Sequence, residues 1–145
     1  MKKFRAWNNY QDEMISWEEL LEQHYNKIED FEDSILEFMQ TLNIFDKNRN
    51  EFHELDISKL VLADGEIRYF VAKIGTIERL VQVLEGFEGG IQKVQITGIY
   101  FEWTDEVGET HQLLPCIDEF GVSDVSKMEI VGNVYEDSEL LEGSK

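Results

Sequence analysis

The residues with the clearest metal-ligand spacing are Asp46, Asn48 and Asn50, near the middle of the chain. Oxygen ligands at alternate positions are typical of the first half of an EF-hand calcium loop. That loop needs glycine at its sixth position and glutamate at its twelfth, where this chain has Glu51 and Ile57. Asp and Asn side chains also bond their own backbone in turns. The pattern therefore predicts a polar surface turn rather than a calcium site.

Softer metal ligands and nucleophiles are few: His24, His53, His111 and Cys116. No two of them have zinc-finger spacing. Cys116 lies near His111 in sequence, but a buried structural thiol is the simpler interpretation than a reactive thiol–imidazole pair. The sequence has neither a phosphate-binding glycine loop nor a Gly-x-Ser-x-Gly elbow. We therefore predict no catalytic residues, no metal site and no cofactor.

The charge balance is strongly acidic, with 31 acidic and 13 basic residues and a formal net charge of −18. Such a surface repels phosphate backbones, so direct binding of DNA or RNA is not expected. Trp7, Trp17 and Trp103 would stack on bases only in a basic groove, and they are assigned to the core. An acidic surface maintains solubility and steers a protein toward basic partners. In the alternative interpretation, the acids mimic the charge of a nucleic acid.

A chain of 145 residues, 42% of them hydrophobic, can bury a core of its own. We expect one domain over residues 1–145, with a polar tail at residues 137–145. The single cysteine cannot form an internal disulfide, which favours a reducing compartment. No segment has the ~20 apolar residues of a membrane span, and no apolar run of signal-peptide length follows the basic start. The expected location is the cytoplasm, without membrane association.

The N-terminal part predicts a β-hairpin followed by a helix. Residues 3–7 and 13–15 form the two strands, separated by the turn-forming string Asn-Asn-Tyr-Gln-Asp. Ser16 and Glu19 have the spacing of a capping box, which satisfies free backbone N–H groups in a first helical turn. The following apolar residues recur at helical intervals, and the helix is expected to end within residues 24–27.

Two stretches are ambiguous. Apolar residues at positions 28, 31, 35, 38 and 39 have helical spacing and predict a helix over residues 29–42, whereas residues 36–40 also permit a strand. A short element at residues 76–85 is slightly favoured as a helix, because Thr76 can cap its start and Gly86 can end it.

The segment between these stretches predicts a second hairpin. Asp64 and Gly65 stand between two apolar runs at residues 60–63 and 66–72, and Asp-Gly suits a two-residue turn that needs positive φ. The alternative is one long helix over residues 65–86, since the apolar residues also repeat at helical intervals.

The C-terminal half reads as strands. Residues 91–104 are the strongest strand candidate, and their alternation changes phase at Gly98, which predicts a β-bulge. Residues 110–114 are expected to pair back, residues 117–125 to connect, and residues 127–135 to form the last strand.

Three strings of this chain resemble the YopX family, whose members occur largely in phages and prophages of Gram-positive bacteria. Residues 3–7 read Lys-Phe-Arg-Ala-Trp, the family's typical opening, and Met14 closes the hairpin as it does there. Residues 130–142 resemble the closing string. Residues 39–57 align without a gap on the central string, with identities at Met39, Gln40, Asp46, Lys47, Asn48, Glu51, Glu54, Asp56 and Ile57.

The central string departs from the family at Asn43, Arg49 and Leu55, which stand where the family has glycine. The turns are expected to differ there, because asparagine tolerates the left-handed conformation but leucine adopts it poorly. The resemblance implies a strand at residues 36–40, an exposed turn, and a strand that begins at Ile57. It also implies an α+β fold: a single domain with a strongly bent, barrel-like antiparallel sheet and one or two helices. The many short strands indicate the same class.

The resemblance implies no activity, because the molecular role of the family is not established. We expect a non-enzymatic, phage- or prophage-encoded accessory protein that binds a host or phage protein in the bacterial cytoplasm. Exposed edge strands also predict a homo-oligomer. The alternative is an acidic nucleic-acid mimic that inhibits a host DNA- or RNA-binding protein. A third hypothesis, a small hydrolase using scattered carboxylates, has no constellation of residues to support it.

Overall fold

The computed structural model describes residues 3–22, 36–82, 90–116 and 124–142, and these segments are mostly antiparallel β-sheet. Their strands are β1 (Phe4–Asn8), β2 (Glu13–Ile15), β3 (Leu36–Phe45), β4 (Glu51–His53), β5 (Asp56–Val61), β6 (Ile67–Gln82), β7 (Ile91–Thr104), β8 (Thr110–Leu113) and β9 (Glu129–Asn133). One sheet has the order β2-β1-β3-β4, and the other has the order β8-β7-β6-β5-β9.

The helical content of the described residues is small. It comprises α1 (Trp17–Glu22), α2 (Glu139–Glu142) and a 3-10 turn at Val125–Lys127. By contrast, β6 and β7 have 16 and 14 residues. The predicted single domain with a bent antiparallel sheet is confirmed, and the sheet curls into a half-barrel. The described chain is a mostly-sheet fold rather than a balanced α+β mixture, because long strands occupy positions where helices were considered.

The N-terminal hairpin and the start of the helix are as predicted. β1 pairs antiparallel with β2, and Asn8 Oδ1 accepts two backbone N–H bonds within the turn. The Glu19 N–H donates to Ser16 Oγ at 3.2 Å, which caps α1. The predicted end of the helix, at residues 24–27, lies outside the described residues.

The strand interpretation of residues 36–42 is confirmed, and the helix is wrong there; residues 28–35 lie outside the described part. β3 pairs with β1 on one side and β4 on the other. It is buried on both faces, with Leu36 and Leu42 on one face and Met39 on the other. Burial on both faces gives apolar residues three apart, and this spacing imitates a helix.

The helix slightly favoured at residues 76–85 is wrong for residues 76–82, and so is the long helix over residues 65–86. β6 continues to Gln82, and each residue from Val71 onward pairs with β7; residues 83–85 lie outside the described part. Residues 74–77 read Ile-Gly-Thr-Ile and face residues 96–99, Ile-Thr-Gly-Ile, so that each residue type opposes itself. This inverted repeat is a sequence signal for the pairing.

The bulge predicted at Gly98 is also wrong. The register runs without interruption through Gly98, which faces Gly75. The phase changes because the covered face of the sheet changes. Val94 and Ile96 are partly covered on one face, whereas Phe101 is buried on the other. The covered face of the sheet changes at Gly75 and Gly98, which lie opposite each other on the two strands.

The remaining strands agree with prediction. The predicted hairpin between β5 and β6 is confirmed, but its two-residue turn is wrong: Gly65 has a φ of 89° while Asp64 has no positive φ, and the Leu62 N–H donates to the Glu66 carbonyl at 2.8 Å across a loop of residues 63–65. β8 and β9 fall within the predicted strands at residues 110–114 and 127–135. The segment predicted as a polar tail contains α2, and its Leu141 lines a cavity of about 310 Å³ with Leu55, Val71 and Val134. The predicted connection at residues 117–123 lies outside the described part.

Two hydrophobic clusters hold the described chain together. The larger one is centred on Phe52 and Phe101, whose rings meet edge to face with centroids 5.3 Å apart. Its buried members are Leu42, Phe52, Phe70, Ala72, Phe101, Val125 and Met128. The smaller cluster contains Ala6, Ile15, Leu20 and Leu36. The core assignment of the tryptophans is confirmed for Trp7, which is buried, while Trp17 and Trp103 pack at the edges of the clusters.

The three positions where the family's pattern has glycine keep a left-handed backbone. Asn43, Arg49 and Leu55 have φ angles of 56°, 63° and 65°. Leu55 thus adopts the left-handed conformation that leucine is expected to adopt poorly, and a difference from the family's turns stays a prediction. The backbone strain at Arg49 and Leu55 is tolerated because hydrogen bonds on both sides fix the turns. The Leu55 N–H, for example, donates to the Ala72 carbonyl at 2.7 Å.

Candidate functional site

A buried ion pair joins the two sheets. Arg5 on β1 contacts Asp56 at the start of β5, with 2.7 Å between Nη2 and Oδ1, and the side chains are 14% and 3% exposed. Arg5 Nη2 also donates to the Glu54 carbonyl at 3.1 Å. The second Asp56 oxygen accepts the His53 backbone N–H at 2.7 Å. Because both carboxylate oxygens have partners within the protein, the arrangement is that of a structural link.

Burial is the main cause of the pKa shifts at this ion pair. Burial raises the pKa of the Asp56 carboxyl, although the Arg5 charge opposes the shift. Burial lowers the pKa of His53 to about 4, and the charge of Arg5 acts in the same direction. A raised carboxyl pKa is one mark of catalytic acids. Here it belongs to a group that solvent scarcely reaches.

Asp46 explains the central turn. Its Oδ1 accepts the N–H groups of Asn48 and Asn50 at 2.9 and 2.8 Å, and its Oδ2 accepts the N–H of Ile130 on β9 at 2.9 Å. The predicted turn is confirmed at residues 47–50, which are exposed, but Asp46 itself is only 3% exposed. Burial raises the pKa of Asp46, but the backbone N–H bonds outweigh burial and the net shift is downward. The carboxylate oxygens are bound by N–H donors, which fits an Asx turn rather than half a calcium loop.

Asp105, Glu109 and His111 lie together at the turn between β7 and β8, with ligand atoms within 4.8 Å of one another. His111 Nε2 is 2.9 Å from Asp105 Oδ2, and this hydrogen bond lowers the pKa of Asp105. Asp105 Oδ1 accepts the N–H groups of Val107 and Glu109. Asp105 thus caps a tight turn at the surface and bonds His111, and the spacing of the three residues in sequence does not identify them as a site.

Cys116 is exposed, so the predicted buried thiol is wrong. The chain has left β8 at Leu113, and the Cys116 thiol donates to the Leu114 carbonyl at 3.2 Å. His111 bonds Asp105 and stacks on Trp103 with centroids 4.8 Å apart. The thiol and the imidazole are therefore held by different partners, and His24 lies outside the described residues.

The largest unpaired feature of the described chain is the distal half of the β6–β7 hairpin. We call this part, Lys73–Gln82 with Ile91–Tyr100, the outer hairpin. β5 pairs with β6 only at residues 67–71, and β8 pairs with β7 only at residues 101–104. Within the described segments, both edges of the outer hairpin therefore have no hydrogen-bonded neighbouring strand.

The side chains of the outer hairpin differ from those of the rest of the chain. It contains three basic residues, Lys73, Arg79 and Lys93, and one acid, Glu78, so its net charge is +2 in a chain of −18. Leu80 and Ile91 are each 69% exposed on one face. Two of these bases have ion-pair partners: Lys73 Nζ lies 3.1 Å from Glu102 Oε2, and Lys93 Nζ lies 3.6 Å from Glu78 Oε2. Free backbone donors and acceptors beside exposed aliphatic groups are features of surfaces that bind an added strand.

The outer hairpin is also held to the domain. The Arg79 guanidinium donates to the Gln112 carbonyl on β8. Val94, which faces Arg79, and Glu102, which faces Gln112, are far apart along β7. At about 3.3 Å per residue a flat strand would separate them by about 26 Å, more than an arginine side chain spans. The hairpin therefore curves back toward β8.

The model of a family described as "YopX protein" matches residues 3–142 of this chain. No curated protein matches the chain. In the part of the chain that the structure describes, the helices are too short or too polar to cross a membrane.

Proposed function

Because the chain belongs to the YopX family, we propose that it is a phage- or prophage-encoded accessory protein that binds another protein in the bacterial cytoplasm and has no catalytic role. The observation that carries this proposal is the outer hairpin, with both edges free among the described residues and with Leu80 and Ile91 exposed beside them.

Strand addition is the binding mode that suits this surface. An extended segment laid along a free edge gains backbone hydrogen bonds along its length, and alternate side chains then contact the exposed face. Leu80 and Ile91 supply aliphatic contacts on that face. The partner is thus an extended segment with apolar side chains at alternate positions.

The test is capture of proteins from host lysate by tagged wild-type protein and by two matched variants. Leu80→Glu introduces a charge on the outer hairpin. Val107→Glu introduces the same charge at the β7–β8 turn, where Val107 is 85% exposed. Both variants should fold, because neither side chain is buried. We expect the partner to be retained by wild type and Val107→Glu and lost by Leu80→Glu, as identified by mass spectrometry.

Equal capture by all three proteins would contradict the proposal. The alternative function, a nucleic-acid mimic, rests on the net charge of −18. It predicts capture of a host DNA- or RNA-binding protein that Leu80→Glu still retains and that high salt releases, because charge pairing is screened by salt. Strand addition predicts retention at high salt, since backbone hydrogen bonds and apolar contacts persist there.

A further inference from the structure

We propose that the turn between β7 and β8 binds a first-row transition-metal ion, Zn²⁺, with Asp105, Glu109 and His111 as its protein ligands. This site is separate from the outer hairpin, and it does not depend on the proposed function. The inference is carried by the face that the three side chains share, by the distances between their ligand atoms, and by the contacts that hold the imidazole.

Strand pairing places the three ligands on one face of the β7–β8 hairpin. Trp103 lies opposite His111 in the register. The Asp105 N–H donates to the Glu109 carbonyl at 2.9 Å, which continues the same pairing toward the turn. Because side chains alternate between faces along a strand, Asp105 and Glu109 share the face of Trp103 and His111. One ligand atom from each of the three residues lies within 4.8 Å of the other two.

These distances suit a metal ion after small movements. Zn²⁺ lies about 2.0–2.2 Å from nitrogen and oxygen ligands, so two ligands of a tetrahedral ion are about 3.4 Å apart. His111 Nε2 and Asp105 Oδ2 are 2.9 Å apart, and the ion needs them to separate by about 0.5 Å. The Glu109 side chain is exposed and can rotate toward the other two. Water completes the coordination, as in other sites with three protein ligands.

Asp105 and His111 each offer one atom to the ion. Asp105 Oδ1 accepts the backbone N–H groups of Val107 and Glu109, so the turn keeps its shape while Oδ2 binds the metal. The ion replaces the hydrogen bond between Oδ2 and Nε2 of His111. In the neutral imidazole the proton then resides on Nδ1, and Nε2 provides its lone pair to the metal.

The imidazole is held in place from outside the group of ligands. Its ring stacks on Trp103 with centroids 4.8 Å apart, and the Arg68 guanidinium lies 4.0 Å from the centroid of the same tryptophan. A ligand that is fixed by packing binds a metal more precisely than a freely rotating one. The nitrogen ligand also selects the ion, because imidazole suits Zn²⁺ whereas Ca²⁺ and Mg²⁺ take oxygen ligands. A chain of −18 attracts all three cations, so selectivity separates coordination from charge.

Glu109→Gln and Glu106→Gln are matched variants that test the site. Both glutamates are exposed in the same turn, and each change removes one negative charge without altering the size of the side chain. Only Glu109 belongs to the group of ligands. Calorimetric titration of untagged, chelator-treated protein with Zn²⁺ measures the affinity at physiological ionic strength. We expect it to fall roughly tenfold or more in Glu109→Gln and in His111→Gln, and to change little in Glu106→Gln.

Co²⁺ locates the ion, because it quenches the fluorescence of a nearby tryptophan and Trp103 stacks on His111. Quenching should saturate in wild type, and Zn²⁺ should reverse it by competing for the site. Trp103→Phe should show little quenching while it still binds Zn²⁺, since phenylalanine keeps an aromatic ring beside the imidazole.

Three results would overturn the proposal. Wild type that binds no Zn²⁺ at millimolar concentration has no site. Equal weakening in Glu106→Gln and Glu109→Gln, or Ca²⁺ and Mg²⁺ binding as tight as Zn²⁺ binding, shows attraction by an acidic surface only. Quenching that persists in Trp103→Phe places the ion elsewhere. Thermal denaturation without metal checks that all variants are folded.

Discussion

Replacing Arg49 by glycine should stabilise this protein, although arginine is the residue it has. Arg49 has a φ of 63°, in the left-handed region that L side chains rarely adopt. Its backbone N–H donates to the Asp46 carbonyl at 3.0 Å, and glycine preserves that bond. Arg49 is exposed, so the change removes no core packing. Leu55 has a similar φ, but it lines the cavity beside Val71 and would lose contacts.

The magnitude follows from two opposing terms. The left-handed conformation costs a non-glycine residue roughly 1–2 kcal/mol. Glycine loses about 0.5–1 kcal/mol more than alanine through backbone entropy on folding. Arg49→Gly should therefore exceed Arg49→Ala in unfolding free energy by about 0.5–1 kcal/mol, which is a shift of about 2 °C in Tm for a chain of this size.

Urea denaturation of both variants measures this difference, and Arg49→Ala is the matched control because it removes the same side chain but keeps the backbone strain. Asn48→Gly provides a second control at a neighbouring exposed residue whose φ is not positive. It should lose about 0.5–1 kcal/mol. If Arg49→Gly is no more stable than Arg49→Ala, the strain argument is wrong.

Three further outcomes follow from individual contacts. Gly132→Ala should destabilise by about 1–3 kcal/mol, because its Cβ would overlap the Asp137 side chain, whereas Gly98→Ala, with open space, should change stability little by thermal denaturation. His53→Gln should flatten the pH profile of the unfolding free energy between pH 6.5 and about 4. Because the pKa of His53 is lowered in the folded state, its contribution to stability is complete above pH 6.5 and is lost as the pH falls toward 4. A profile unchanged from wild type would refute this. Asp46→Asn should lower the unfolding free energy by about 1.5–3 kcal/mol at neutral pH, measured by urea denaturation, because hydrogen bonds to a charged carboxylate are lost. The difference from wild type should shrink below pH 3.8, where Asp46, whose pKa is lowered, becomes protonated. A difference that does not change with pH would contradict the role given to the carboxylate.

Local sequence determined the turns and their neighbouring strands. Asn8 and Asp46 close turns with their own side chains, Asp64-Gly65 supplies a positive φ, and Ser16 caps α1. These interactions join residues close in sequence, so residue type and spacing specify them. The resemblance also determined the family, because its strings occur in order over nearly the whole chain.

Tertiary structure decided the strand identity of residues 36–42 and 76–82. In both stretches the apolar residues lie at helical intervals because the buried face of the strand is not the same along its length or because both faces are buried. Which face is buried depends on the neighbouring strands, β1 for the first stretch and β7 for the second. It also decided that Asp46 reaches Ile130 and that Arg5 pairs with Asp56. No local pattern encodes contacts between residues so far apart in sequence. The outer hairpin shares this origin. The sequence contains its inverted Ile-Gly-Thr-Ile repeat, but the short pairing of β5 and β8 is what leaves its edges without a neighbouring strand among the described residues.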